Sequence, residues 1–246
     1  MAITIKSERE IELMAEAGKI LERVHNELEK ALRPGMSTKD IDTLGEEIIR
    51  SYGCIPSFLN YNGYPASICV SVNQEVVHGI PDKHRIIQEG DIVSLDAGVI
   101  YKGYHSDAAR THAVGEVSEE AKKLIQVTKE CFFEGIKFAK AGNHLFDISG
   151  AIGRYAEERG YGVVRDLCGH GIGSHLHEEP EIPNFRQFRR GIKLRPGMTL
   201  AIEPMVDLGS AEVVWMDDDW TVVTEDWSLS AHYENTILIT DGEPEI

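Results

Sequence analysis

The chain has 246 residues, 42% of them hydrophobic and 27% charged, with a formal charge of −16. Such a chain is an ordinary globular protein of one large domain or two small ones, too acidic to bind nucleic acid generally. No apolar run approaches the ~20 residues of a membrane helix, and the start, Ile3 to Glu8, has no signal-peptide core, so a cytoplasmic location is expected.

Two helices open the chain. Ser7 and Glu10 have the spacing of a capping box, and Ile11, Met14, Ala17, Leu21, Val24 and Leu28 then recur at helical intervals. Pro34-Gly35 stops this helix. Thr38 is expected to cap a second, with Ile41, Leu44, Ile48 and Tyr52 on one face and Gly53 at its end. Strands are predicted at Ile68–Val72, Ile92–Leu95 and Tyr104–Val114. The order then returns: a helix from Ser118 to about Ala141-Gly142, another carrying Ile148, Ala151, Ile152 and Tyr155 up to Gly160, and strands at Thr199–Val206, Thr221–Val223 and His232–Thr240.

Matches between the two passes keep a constant offset of 107: Gly35 with Gly142, Asp40 with Asp147, Gly53 with Gly160, Gly90 with Gly197, Asp96 with Glu203. Helices first and strands later in each pass predict an α+β fold. The chain is expected to form one unit, 1–246, built of two similar halves, about 1–115 and 116–246, with a cleft between them. The four cysteines, Cys54, Cys69, Cys131 and Cys168, form no CxxC pair and are expected to be free thiols.

The local chemistry concentrates on carboxylates. Lys102-Gly103 can make a two-residue hairpin turn, which sets Asp107 opposite Gly98. Asp96 then shares a face with Asp107. Two like charges side by side on a sheet repel unless a cation lies between them. The ordinary alternative is a solvated hairpin with charged edges, but Asp96 follows the apolar run Ile-Val-Ser-Leu of an interior strand. Glu203 ends the apolar strand Met-Thr-Leu-Ala-Ile, and Glu234 enters another. A buried carboxylate needs a partner, and four placed alike in two passes favour a metal over four separate arginines. Among the histidines, His170 is flanked by glycines in Gly-His-Gly-Ile-Gly, His177 precedes Glu178-Glu179-Pro180, and His78 lies in Val-Val-His-Gly-Ile-Pro. Each alone reads as a capped loop residue. No GxSxG elbow or HExxH pattern is present.

Taken together, Tyr-Asn-Gly-Tyr-Pro-Ala-Ser-Ile-Cys (61–69), His-Gly-Ile-Pro (78–81), Gly-Asp-Ile-Val-Ser-Leu-Asp (90–96), Ser-Asp (106–107), Gly-His-Gly-Ile-Gly (169–173), Glu-Pro (203–204) and Ser-Ala-His-Tyr-Glu (230–234) closely resemble the type I methionine aminopeptidases in their short bacterial form. The resemblance spans the whole chain. It implies a pita-bread fold of two related halves around a dinuclear metal centre. The family's five ligands fall on Asp96, Asp107, His170, Glu203 and Glu234, and its two further histidines on His78 and His177.

The resemblance also implies a mechanism. Two divalent ions (Co, Mn, Fe or Zn) sit among the carboxylates, Glu203 takes and passes the proton of the attacking water, His177 binds the developing oxyanion, and His78 holds the leaving-group side. Tyr61, Tyr64, Cys69, Leu176 and Trp220 line the methionine slot. Leu176 and Phe58 stand where some relatives have phenylalanine and cysteine, and His232 where some have glutamine. The implied partners are peptides and nascent chains beginning with methionine, handled by a monomer. A ribosome-facing role for Arg186, Arg189, Arg190, Lys193 and Arg195 is weighed against a solvated basic loop, which is the preferred reading. The chain's own Met1-Ala2 is expected to be cut by the same activity.

Overall fold

The computed structural model describes residues 3–246, so Met1-Ala2 lies outside it. Helix α1 (Glu8–Ala31) starts at Ser7, whose side chain accepts from the Glu10 N–H while Glu10 reaches back to the Ser7 N–H. The buried face is the expected one, with Met14, Ala17, Leu21, Val24 and Leu28 inside. Helix α2 (Thr38–Ser51) is capped one residue earlier than expected: Ser37 and Asp40 form the box, and the Thr38 hydroxyl bonds the Asp82 carbonyl instead. Both helices cover one face of a sheet made of β1 (Ile55–Pro56), β2 (Ile68–Val72), β4 (Ile92–Tyr101) and β5 (Tyr104–Ala113). A short strand, β3 (Glu75–Val77), follows β2.

The second pass repeats helices before strands. Helices α3 (Glu119–Ile136) and α4 (Leu145–Glu157) pack over β6 (Gly162–Val163), β7 (Cys168–Gly171), β8 (Glu178–Pro183), β9 (Thr199–Ile202), β10 (Met205–Asp207), β13 (Ser230–His232) and β14 (Asn235–Leu238). Between them, β12 (Val222–Thr224) pairs with β3 of the first pass on one side and with β11 (Val213–Trp215) on the other. The expected strand 199–206 is two strands, broken at Glu203-Pro204, where proline lacks an N–H for a ladder. Helix α3 ends at Ile136 rather than near Gly142, because Phe138 and Ala139 donate to carbonyls only three residues back and tighten the chain into turns. Among the described residues no helix is long and apolar enough to cross a membrane. All four cysteines are free thiols.

Candidate metal centre

The β4–β5 hairpin has the expected register, with Gly98 opposite Asp107 and Tyr101 opposite Tyr104. Asp96 and Asp107 therefore project from one face. Gly98 is required there by close packing: a Cβ would lie 2.7 Å from the Ser57 Cβ and 3.0 Å from the Phe58 ring. His170 on β7 sits opposite Ala201 of β9, so it shares a face with Glu203, two residues on. The β9–β14 register sets Ile202 against Asn235, and one step further sets Glu203 against Glu234. The glycines around His170 follow from crowding. A Cβ on Gly169 would meet the Ala201 carbonyl oxygen at 2.4 Å, and one on Gly171 the Glu179 carbonyl oxygen at 2.1 Å.

The two passes join through β5 and the segment 232–236. Thr111 Oγ1 bonds both the N–H and the carbonyl of His232, at 2.8 and 2.9 Å. Ala109 and Glu234 exchange backbone bonds of 3.3 and 3.0 Å. Thr236 Oγ1 accepts from the Asp107 N–H at 2.9 Å and donates to its carbonyl at 3.1 Å. Arg110 stacks over Tyr233 at 4.4 Å and bonds the Glu234 carbonyl and, at 2.5 Å, Asn235 Oδ1. Asp107 and Glu234 are thus fixed relative to each other through the backbone. These contacts were not foreseen from sequence, since their partners lie more than a hundred residues apart.

Asp107, His170 and Glu234 bring ligand atoms within 4.8 Å of one another. His170 Nε2 lies 3.9 Å from Asp107 Oδ2 and 3.7 Å from Glu203 Oε1. Its Nδ1–H donates to the Gly171 carbonyl at 2.8 Å, which leaves the Nε2 lone pair facing the carboxylates. Asp96 Oδ1, Asp107 Oδ1 and Glu234 Oε1 are buried without any hydrogen-bond partner. Among the described residues no lysine or arginine forms an ion pair with any of the four carboxylates.

Burial pushes Asp96 up to about 7. Asp107, Glu203 and Glu234 are held well above the usual carboxylate range, by burial first and then by one another's charge. Burial brings His170 down to about 3. Uncompensated negative charge, orphaned oxygens and a neutral imidazole fit divalent cations, which the mixed oxygen and nitrogen donor set suits.

In metal-free protein these carboxyls have folded pKa values above their unfolded ones, so the folded state holds the protons more tightly. For Asp96 the resulting stability is complete below about pH 4 and is lost as pH rises through about 7. Asp96 alone, at about 7 against 3.8, withholds on the order of 4 kcal/mol. The Tm of chelated protein should fall by roughly 10 °C between about pH 5 and pH 8, and added Mn should restore it. A flat calorimetric profile would contradict this.

The cluster floors a recess with about 590 Å³ of empty space counted out to solvent, lined further by Phe58, Tyr61, Asn62, Tyr64, Cys69, His78, Leu176, His177 and Trp220. Every residue expected at the site reaches it, and Asn62 joins them from the turn Tyr61–Gly63, where its φ is 50°. The Asn-Gly pair was the available signal for that turn. Tyr61 Oη lies 3.0 Å from His177 Nδ1, and the His177 ring stands edge-on to His170 with centroids 4.4 Å apart. His78, with φ of 59°, faces Trp220, and burial brings it down to about 4. His232 does not line the recess. It is buried behind Glu203, with Nε2 3.8 Å from Glu203 Oε2. In the basic stretch, Arg190 pairs with Asp147 at 2.8 Å, while Arg186, Phe188, Arg189, Lys193 and Arg195 are exposed.

Residues 12–241 match the model of metallopeptidase family M24. A Clostridium acetobutylicum protein named methionine aminopeptidase is 59% identical over 244 residues, covering 99% of this chain and 98% of its own. The crystal structure of a Thermotoga maritima methionine aminopeptidase, 47% identical, superposes with a TM-score of 0.97 over 100% of this chain and 98% of that one. An Xaa-Pro dipeptidase from Bacillus anthracis, 28% identical, reaches a TM-score of 0.77, but this chain spans only 61% of it. Pita-bread architecture, length and identity agree, and the chain belongs to metallopeptidase family M24, among its methionine aminopeptidases.

Proposed function

We propose that this chain hydrolyses the N-terminal methionine from peptides and nascent chains whose second residue is small and uncharged. Four buried carboxylates without a cationic side-chain partner, converging with His170 on one recess, carry the proposal. Asp96, Asp107, His170, Glu203 and Glu234 would hold two divalent ions, drawn from Co, Mn, Fe or Zn. The unit is one catalytic domain whose halves, about 1–115 and 116–246, meet at the recess. It works as a cytoplasmic monomer, with no more than a transient contact to the ribosome.

The protein's own groups can be assigned steps. When bound, the ions supply Lewis acidity and positive charge where the attacking water loses its proton. Glu203, at the open end of β9, takes that proton and passes it to the departing amine. With the Tyr61 hydroxyl donating to His177 Nδ1, the remaining proton of the neutral imidazole sits on Nε2 and is free to donate to the scissile carbonyl. Burial keeps His177 below its ordinary value, so the neutral ring is the working form at neutral pH. His78 holds the leaving-group side of the amide. Phe58, Tyr61, Tyr64, Cys69, Leu176 and Trp220 form an apolar slot, whose aromatic and sulfur surfaces suit a thioether.

The test uses chelator-stripped protein. Met-Ala-Ser should be left uncut until Mn, Fe, Co or Zn is added, and should then be cleaved far faster than Met-Leu-Ser or Gly-Pro peptides. Full activity in chelator, or a preference for Gly-Pro, would overturn the proposal.

A further inference from the structure

Lys6 is a lysine almost wholly out of water. Its Nζ lies 2.7 Å from Glu178 Oε2, with the two side chains only 4% and 7% exposed. Most other lysine and arginine ion pairs of the protein are substantially exposed on at least one partner and stabilise little. Burying a lysine is costly unless the pair holds something in place.

The surroundings indicate what is held. The arm before α1 is tied to the body by the Lys6 N–H donating to the Gly197 carbonyl at 2.8 Å. Thr4 Oγ1 donates to the same Glu178 oxygen at 2.8 Å, and Lys6 Nζ also bonds Thr4 Oγ1. The other Glu178 oxygen accepts from the His175 N–H at 3.2 Å. Gly173 lies directly against the pair: a Cβ there would come within 2.4 Å of Lys6 Cε and 2.5 Å of Glu178 Oε1. On the far side, the Gly173 carbonyl accepts from the His105 N–H on β5 at 2.8 Å. Segment 173–178 is therefore gripped between the arm and β5. Two of its residues, Leu176 and His177, line the recess, whereas Lys6 does not.

We infer that Lys6 is a positioning residue for the methionine site, pinning the loop that presents Leu176 and His177 through its buried ion pair with Glu178. The inference rests on the proposed roles of Leu176 and His177. It makes the arm, which precedes the family-matched stretch 12–241, a working part of the pocket. Removing the ammonium leaves the Glu178 charge buried without a cation, held only by the Thr4 hydroxyl and the His175 N–H, so the loop loosens to hydrate it.

The experiment compares the parent with Lys6→Met, Lys6→Met/Glu178→Gln and Thr4→Val, all loaded with Mn. In Lys6→Met, amide exchange of 173–178 should speed up while metal binding by calorimetry stays the same. Its kcat/KM on Met-Ala-Ser should fall ~10–100-fold, the scale of a small misplacement of a substrate-binding group. The double variant, which leaves no orphaned charge, should recover most of that loss. In a His177→Ala background, Lys6→Met should cost little more. Unchanged exchange with kcat/KM within about twofold of the parent, or a fully additive loss in the His177→Ala background, would overturn the inference. Should Lys6→Met not fold, the same exchange and kinetics on Thr4→Val and the double variant decide it: a loop unaltered in Thr4→Val counts against the clamp. Loop exchange is read without substrate, so a loosened loop in a protein inactive on methionyl peptides would sink the proposed function and spare the clamp.

Discussion

Asp107→Ala and Glu234→Ala should each bind Mn or Co more than ~10²-fold more weakly than the parent, beyond the loss typical of an outer partner of a ligand. Turnover at limiting metal should fall at least as far. Both carboxylates are nearly fully buried, each has an oxygen with no partner, and each is held well above the usual carboxylate range by burial first and then by its neighbours' charge. Deleting either removes a donor and shifts the charge balance that draws cations in. The same deletion relieves repulsion in metal-free protein, so both variants should be more heat-stable than the parent in chelator at about pH 8. The opposite signs separate a ligand from a structural residue, whose loss would lower stability with and without metal. Unchanged metal binding by calorimetry in both variants would remove these residues from the centre.

Much of the centre was legible because its chemistry breaks the patterns around it. Asp96 and Glu203 interrupt or end apolar strands, and Lys102-Gly103 fixes the hairpin register that places Asp96 and Asp107 on one face. The role of His170 was less legible from pattern alone. Strand β7 reads Cys-Gly-His-Gly, which has no strand propensity, because β8 and β9 approach it too closely for a Cβ at either glycine. Strands β1, β3, β6 and β11 are two or three residues long, too short for any periodicity to register. The Ser37 cap was missed because Ser37 and Thr38 are adjacent and equally suited to it. The bonds of Thr111, Arg110 and Thr236 across the halves, and of Lys6 to Glu178 across 172 positions, are set by tertiary packing, on which local pattern is silent. His232, singled out only as a departure from relatives, proves to be a buried neighbour of Glu203 that burial brings down to about 3.

His177→Ala should lower kcat by ~10²–10³-fold, the cost of one lost oxyanion donor, with metal content intact. The imidazole sits beside the carboxylate cluster without being part of it: it stands edge-on to His170, and its Nδ1 is engaged by Tyr61. Because the interaction strengthens as charge develops on the carbonyl oxygen, the loss should fall on kcat far more than on KM. Tyr61→Phe supplies the internal control. Without the hydroxyl, the ring can carry its proton on either nitrogen, so the donor is present only part of the time and the loss should be several-fold at most. The pH profile separates the two as well. Burial depresses the His177 pKa, so its protonated form accumulates only below the ordinary histidine range, and neutral-ring catalysis should persist undiminished through neutral pH. In His177→Ala any acid limb contributed by this ring disappears, whereas Tyr61→Phe keeps it. Native kcat in His177→Ala, or loss of bound metal from it by elemental analysis, would take the oxyanion role away from this histidine.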